Sequence, residues 1–135
     1  MTHPTNSARS LEAIAAFRPE SLDRYLEIYH PAVTAHFLPP GLPSGIEGLR
    51  IFYGAFLDAF PDTALTADET FECNDRVVMR FTLRATHQAE FFGVPATGAP
   101  ITVTGITIMR FEGGKCIERW SESNLAAVMV QLAKS

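Results

Sequence analysis

Apolar residues in the first half of the chain recur at helical spacing, which predicts three helices. Ser10 and Ser21 are the expected N-caps of two short helices, and Pro31 ends the second. A third helix is predicted over residues 46–60, whose apolar face carries Leu49, Phe52, Tyr53, Phe56 and Phe60. Between the second and third helices, a short strand is expected over residues 32–37, followed by a loop rich in proline and glycine.

The second half alternates between apolar and polar residues, which predicts strands over residues 64–73 and 76–87 and a hairpin over residues 101–124. Asn74-Asp75 and Gly113-Gly114 are the expected turns, and a last helix begins at Leu125. Helices followed by a four-strand antiparallel meander make an α+β domain, and we expect residues 1–135 to form one such domain. If the sheet curls around the helices, it forms a cone with a closed apolar interior.

The hairpin contains the clearest candidate for a pocket wall. Its first strand carries Val103, Gly105, Thr107 and Met109 on one face, and its second strand carries Glu118, Trp120, Glu122 and Asn124 on one face. A strand with Trp, Glu and Asn on one face, closed off by an apolar helix, is typical of a pocket wall. The alternative is an edge hairpin whose polar face is solvated.

Composition narrows the possible partners. The net charge is −4 with 11 scattered Lys and Arg residues, so nothing in the chain is suited to neutralising a phosphate backbone, and no nucleic acid partner is expected. The first residues lack the features of a signal peptide, and no apolar run approaches the about 20 residues that span a bilayer. We therefore expect a cytoplasmic protein with no membrane association, in which Cys73 and Cys116 are free thiols.

Four residues on predicted apolar faces are candidates for chemistry: Glu69, His87, Glu122 and Asn124. A carboxylate in an apolar pocket has a raised pKa, which suits acid or base catalysis, and imidazole titrates near neutrality unaided. Alternatively, His87 ends its strand hydrogen-bonded to the next loop, and a register slip of one residue turns Glu69 to solvent. His36 could line the mouth of the pocket or bond loop carbonyls.

The chain contains none of the short motifs that mark a metal, nucleotide or serine-nucleophile site. The glycines of GVPATG follow no parallel strand and precede no helix, so this segment is not a dinucleotide-binding loop. The sequence therefore predicts no metal and no cofactor.

Four segments resemble the SnoaL-like polyketide cyclases of the nuclear transport factor 2-like superfamily. In chain order they are GLRIFYGAFLDAFPD, NDRVVMRF, ATHQAEFFGVPATGAPITVTGITIMRF and GGKCIERW followed by VQL. The resemblance covers most of residues 36–132 and implies the α+β cone of that superfamily and a homodimer paired through the sheet. It also implies ring closure of an aromatic polyketide by an intramolecular aldol reaction, in which an Asp is the base and a His assists, without metal or cofactor.

Two positions depart from the family pattern. The family Asp corresponds to Asn124 and the cyclase His to Thr107, and neither an amide nor a hydroxyl is a general base. Loss of such a group typically lowers the rate by about 10²–10⁴-fold. The resemblance thus implies the fold and a small apolar ligand more directly than it implies the aldol step. His36 and His87 stand where many members have histidine.

Three hypotheses about function follow. The first is a cofactor-independent enzyme of the cyclase or isomerase type acting on a small apolar, polyketide-like molecule, with Asn124 and Thr107 orienting a carbonyl and Glu69, His87 or Glu122 moving the proton. The second is a binding protein without chemistry, and the third is a cofactor-independent hydroxylase. In each case the expected pocket residues, besides Thr107 and Asn124, are His36, Phe52, Phe56, Phe81, Met109 and Trp120.

Overall fold

The computed structural model describes residues 5–134, and within them four α-helices accompany one five-stranded sheet. The helices are α1 (Asn6–Ala15), α2 (Leu22–Leu26), α3 (Ile46–Ala59) and α4 (Leu125–Ala133), with a 3₁₀ turn at Pro19–Ser21 before α2. The strands are β1 (Tyr29–Ala35), β2 (Ala64–Cys73), β3 (Arg76–Thr86), β4 (Pro100–Glu112) and β5 (Lys115–Ser123). The predicted α+β class is confirmed.

The strands lie in the order β1-β5-β4-β3-β2, so β2 to β5 form the predicted antiparallel meander. β1 adds to its edge in parallel with β5, where Thr34 lies opposite Glu118 and Ala35 opposite Arg119. The sheet is curved as in the nuclear transport factor 2-like cone. On its inner face, α1 packs against β2 and α3 against β1. Within residues 5–134, no helix has the length and apolar character that a membrane crossing requires.

The ends of the first two helices differ from the prediction. Thr5 caps α1, because its hydroxyl accepts a bond from the Ala8 N–H at 3.0 Å, whereas Ser10 is buried inside the helix and donates to the Asn6 carbonyl. Ser21 precedes α2, but its hydroxyl donates back to the Ala16 carbonyl and makes no cap bond. α2 ends at Leu26, and Tyr29 already belongs to β1.

A bulge in β2 reverses the alternation on which the sequence prediction depends. Ala67 pairs with Phe81, but the next paired residue is Glu69, which lies opposite Arg80, so Asp68 is an extra residue. An extra residue turns every later side chain to the other face of the sheet. Glu69 therefore lies on the outer face, where its carboxylate binds Arg80 at 2.8 Å, and the predicted inward orientation of Glu69 is wrong.

A second bulge has the same effect in β5. Phe111 pairs with Cys116 and Arg110 pairs with Glu118, which leaves Ile117 as the extra residue. Cys116 is fully buried and faces inward, so strict alternation would also turn Glu118 inward. Because of Ile117, the inward face of β5 instead carries Arg119, Ser121 and Ser123, which border the interior cavity.

Candidate functional site

A cavity of about 690 Å³ lies between the helices and the inner face of the sheet. Most of its wall is apolar and aromatic, contributed by the segment after α1 and by α3, β3 and β4 through Phe17, Phe52, Phe56, Met79, Phe81, Val103 and Met109. The exposed residues His36, Phe92 and Glu122 also border it, so the cavity reaches the surface and is not the closed interior expected from sequence. Its size and walls suit a small molecule with ring systems.

Arg119 is the centre of the polar side of this cavity. Its Nη1 donates to the hydroxyls of Tyr25, Tyr29 and Tyr53 at 2.8, 2.5 and 2.8 Å, and its Nη2 donates to Thr107 Oγ1 at 3.1 Å. The guanidinium also lies over the ring of Phe37, 5.0 Å from the ring centroid. These contacts hold the Arg119 side chain in one orientation against the cavity.

The three tyrosines around Arg119 are all the tyrosines in the chain. Tyr25 and Tyr29 share a hydrogen bond of 2.7 Å between their hydroxyls. Burial raises the pKa of the Tyr29 and Tyr53 phenols well above the usual value, an effect that the nearby Arg119 charge only partly opposes. Both hydroxyls are therefore neutral at physiological pH.

The positive charge of Arg119 has no anionic partner among residues 5–134. Burial lowers the pKa of its guanidinium and the hydrogen bond to the Tyr29 hydroxyl raises it, and an arginine side chain is protonated at physiological pH in any case, so Arg119 is charged. No carboxylate oxygen of the described residues lies within 4 Å of the Arg119 guanidinium, which is the distance of an ion pair. The buried Nε–H of Arg119 also has no acceptor there. Buried charges are ordinarily paired, because removing an unpaired charge from water is costly.

Thr107 lies where the sequence analysis expected it, on the inner face of β4. It is 2% exposed, accepts from Arg119 and donates to Ser121 Oγ at 3.2 Å. Phe52, Phe56, Phe81 and Met109 also border the cavity, in agreement with the predicted positions.

Trp120 differs from its predicted position because of the Ile117 bulge. Its ring stacks on His36 on the outer face, with 5.0 Å between centroids, and the guanidinium of Arg76 lies 5.5 Å from its centroid. His36 Nε2 contacts Glu118 Oε2 at 2.7 Å, and Arg110 binds the other oxygen of Glu118 at 2.9 Å. We call Arg76, Trp120, His36, Glu118 and Arg110 the outer cluster.

Glu122 and Asn124 are both exposed, and they differ in their relation to the cavity. Glu122 borders it, whereas Asn124 does not. The side-chain oxygen of Asn124 accepts from the Thr104 N–H at 2.9 Å, so the amide extends the ladder between β4 and β5. Asn124 holds the N-cap position of α4 without a side-chain cap bond, because Ser123 Oγ accepts from the Leu125 N–H instead.

His87 is fully buried but lies away from the cavity lining. Its Nδ1 contacts Thr97 Oγ1 at 3.0 Å, and its ring stacks on Phe60 with 5.3 Å between centroids. Backbone bonds from His87 to Ala99 and from Gly98 to His87 fasten the same loop. This is the structural alternative considered for His87, a histidine that anchors the loop after its strand.

Sequence reasoning missed Arg119 and its tyrosines. One signal was available: Tyr25, Tyr29 and Tyr53 all fall on apolar helical stripes, where phenolic hydroxyls need a common polar partner. The position of Arg119 opposite them depends on the Ile117 bulge, for which the sequence carries no marker.

The described residues include no group of three or more His, Cys, Asp or Glu side chains that could hold a metal ion. The polar groups of the cavity are instead a guanidinium and hydroxyls, together with the exposed His36 and Glu122. Guanidinium and hydroxyl donors suit an oxygen acceptor on a ligand.

Comparisons with known proteins agree with this architecture. A family model described as SnoaL-like polyketide cyclase matches residues 8–132. Among solved structures, AclR from Streptomyces galilaeus, a proposed hydroxylase, is 30% identical over 96% of both chains with a TM-score of 0.82. TsrD from Streptomyces laurentii is 26% identical over 100% of both chains with a TM-score of 0.85. IdmH from Streptomyces antibioticus, a proposed polyketide cyclase, is 29% identical over 92% of this chain and 98% of its own, with a TM-score of 0.73. No curated protein sequence matches significantly.

Proposed function

Because the chain belongs to the SnoaL-like polyketide cyclase family, we propose that it is a cofactor-independent enzyme acting on a small polyketide-like molecule in the Arg119 cavity. The observation that supports this most is Arg119 itself, a charged side chain held against a largely apolar cavity by three tyrosine hydroxyls and Thr107. A fold that needed only a stable core would gain nothing from an unpaired guanidinium there.

In this proposal Arg119 stabilises negative charge on a substrate oxygen. Donors fixed in advance around a developing oxyanion lower the reaction barrier, because they need not reorganise as the charge forms. A ketone whose oxygen accepts from Arg119 becomes more acidic at the neighbouring carbon. The aromatic wall, which includes Phe52, Phe56 and Phe81, would hold the rest of a ring-bearing substrate by apolar contact.

Glu122 is the proposed proton carrier. It is the one carboxylate among the described residues that border the cavity, and its carboxylate could take a proton from carbon and return it to a different atom of the same substrate. His36, also at the border, is bound to Glu118. Glu69 and His87 lie away from the cavity, and we assign Asn124 a structural role in the strand ladder.

Deuterium exchange of the α-protons of tetralone, an aromatic ketone, tests the proposal without knowledge of the natural substrate. We expect the protein to accelerate exchange in heavy water, followed by proton NMR, and Arg119→Met to reduce the acceleration by about 10²–10³-fold. Glu122→Gln should reduce it by about 10²-fold or more. Arg84→Met, an exposed arginine on the outer face, is the matched control and should leave the rate unchanged.

Two outcomes would overturn or redirect the proposal. If tetralone binds but its protons exchange no faster than in buffer, the chain is a binding protein of the kind considered from sequence. Equal rates for Arg119→Met and Arg84→Met would remove Arg119 from the chemistry.

Hydroxylation is a second candidate, favoured by the 30% identity to AclR, a proposed hydroxylase. An enolate held on Arg119 is electron-rich, so its carbon could bond to dioxygen, and a proton would complete a hydroperoxide. The two electrons and two protons that convert the hydroperoxide to a hydroxyl group and water would come from a hydroquinone group of the substrate, which becomes a quinone. Oxygen consumption in the presence of an electron-rich polyphenol would identify this activity, whereas a cyclase or isomerase consumes none.

We further propose a homodimer formed through the outer face of the sheet. Ile106 and Phe71 are large apolar residues on that face and are 49% and 60% exposed. Like surfaces pair by twofold symmetry in most homodimers. Sedimentation at micromolar concentration should give a dimer, and Ile106→Lys should give a monomer; a monomeric wild-type chain would contradict the proposal.

A further inference from the structure

The unpaired charge of Arg119 also carries information about the ligand. We propose that the cavity binds an organic anion whose charge is shared between two conjugated oxygens, either an aromatic carboxylate or an enolised dicarbonyl. The inference rests on the proposed function only in using the same cavity, and it concerns the charge of the bound molecule rather than any reaction.

The first argument is the chemistry of the groups around Arg119. Within the described residues, every hydrogen bond that its guanidinium donates goes to a hydroxyl, of Tyr25, Tyr29, Tyr53 or Thr107. Each hydroxyl brings a proton as well as lone pairs, so the group is rich in donors and contains no anionic acceptor. A ligand that brings negatively charged oxygens complements such a group better than a neutral one does.

The second argument is the orphaned Nε–H of Arg119. It is buried and has no acceptor in the described structure. A guanidinium presents its N–H bonds as a planar fork, which matches a carboxylate or another planar pair of oxygens. On the outer face, the Nε and Nη2 of Arg110 show how an arginine here meets a carboxylate, since both bind one oxygen, Glu118 Oε1, at 3.0 and 2.9 Å.

The third argument is the surroundings of the charge. The ring of Phe37 lies against the guanidinium, and aromatic and thioether side chains such as Phe52, Phe81 and Met109 line the cavity beyond it. An anion binds strongly to arginine where water is scarce, and ring carbons suit the apolar wall. Glu122, the one described carboxylate at the cavity border, is exposed and lies outside ion-pairing distance of Arg119.

Titration calorimetry with matched aromatic probes tests this inference. The first pair is naphthoate and naphthamide, which have the same ring and differ in charge. The second pair is hydroxynaphthoquinone, which ionises to an enolate, and its methyl ether, which is uncharged. We expect each anion to bind the wild-type protein at least about tenfold more tightly than its neutral partner, because a charge-assisted bond is worth that factor. A preference confined to one pair identifies which of the two anion types the cavity takes.

Substitution then assigns the preference to Arg119. In Arg119→Met the affinity ratio should fall to about one, whereas Arg84→Met, on the outer face, should keep the wild-type ratio. Arg119→Lys, which retains a charge without the planar fork, should keep a reduced preference. Because the wild-type ratio is measured independently, the inference is tested even if a variant fails to fold.

The inference is overturned if naphthamide binds as tightly as naphthoate, or if the preference survives in Arg119→Met. A protein that exchanges tetralone protons but shows no preference for anions would keep its proposed function and lose this inference. One that prefers anions but catalyses no exchange would keep the inference and lose the enzyme proposal. If no probe of either charge binds, the inference fails, and the exchange of tetralone protons decides the proposed function separately.

Discussion

Glu118 and Arg119 are neighbours in β5, yet they have opposite electrostatic surroundings. On the outer face, the carboxylate of Glu118 binds Arg110 and His36. On the inner face, the guanidinium of Arg119 donates hydrogen bonds only to hydroxyls among residues 5–134, and its Nε–H has no acceptor there. The outer charges are neutralised by the protein, and the inner charge is not.

The comparison separates charges that complete a surface from a charge that is available to a ligand. Exposed ion pairs of the kind in the outer cluster contribute little to stability, because water screens them. A guanidinium held against a largely apolar cavity without a counter-ion is unfavourable for the folded state, and functional sites are where proteins retain such groups. Arg119, rather than any residue of the outer cluster, is therefore the centre of the proposed site.

Deleting Ile117 should have the largest effect, because it would exchange the two faces of β5. Without the extra residue, Glu118 and Trp120 would turn inward and Arg119 outward. Burying the Glu118 carboxylate costs several kcal/mol and Arg119 would lose its hydroxyl partners, which together are comparable with the whole stability of about 5–15 kcal/mol, so we expect no soluble folded protein. Circular dichroism of the purified chain is the measurement.

Ile117→Ala is the control for the deletion, since it keeps the bulge and removes only a partly buried side chain. It should fold and lose about 1 kcal/mol of unfolding free energy. A deletion variant with wild-type stability would show that the bulge does not determine which face is inward.

Gly105→Ala should have the next largest effect, because the inner face leaves no room at this position. A Cβ there would lie 2.5 Å from the Glu122 carbonyl oxygen and 2.8 Å from Phe81 Cζ. Overpacking of this kind costs about 2 kcal/mol, measurable by chemical denaturation. At Gly54 of α3 an added Cβ meets nothing within 4 Å, so Gly54→Ala should instead stabilise by up to about 1 kcal/mol. Similar losses for both variants would contradict the packing described.

Arg119→Met should raise the free energy of unfolding by about 1 kcal/mol while weakening ligand binding. The apolar side chain relieves the unpaired charge, and the freed hydroxyls of Tyr25 and Tyr29 remain bonded to each other. Arg110→Met, which breaks the pair with Glu118, should not stabilise the protein. A marked loss of stability in Arg119→Met would mean that Arg119 serves mainly to hold the three tyrosines together.

The smallest expected effect is the pH dependence of Glu118. Its hydrogen bond from His36, and then those from Arg110, lower the pKa of the Glu118 carboxyl from 4.5. A lowered pKa in the folded state contributes stability above pH 4.5 that is lost as the pH falls through the lowered value. The melting temperature of wild type should therefore exceed that of Glu118→Gln near pH 6 and converge with it in acid. A difference that grows in acid would contradict this assignment.

Sequence alternation predicted the fold and the apolar walls well, because these depend on periodicity. Residues before each bulge face as expected, as Leu65 and Ala67 do in β2. Alternation failed after Asp68 and Ile117, where one unpaired residue reverses every later side chain. Neither residue is a glycine, so nothing in the local sequence marks the bulge, and alternation alone places Glu69 and Trp120 on the wrong face.

The polar centre of the site could not be predicted for a related reason. Tyr25, Tyr29 and Tyr53 come from three different elements, and only the folded chain brings their hydroxyls to one guanidinium. His87 was correctly predicted to be buried, but its role depends on Thr97, ten residues away in a loop that has no periodicity.

The most direct test of the central claim is the NMR signal of the Arg119 Nε–H proton, assigned by its absence in Arg119→Lys. If the charge is available to a ligand, adding naphthoate should move this signal, because the anion binds the guanidinium that carries this proton, while naphthamide moves it much less and the Arg110 signal stays in place. An Arg119 signal that is unchanged when naphthoate is bound would contradict the claim that this guanidinium binds the ligand.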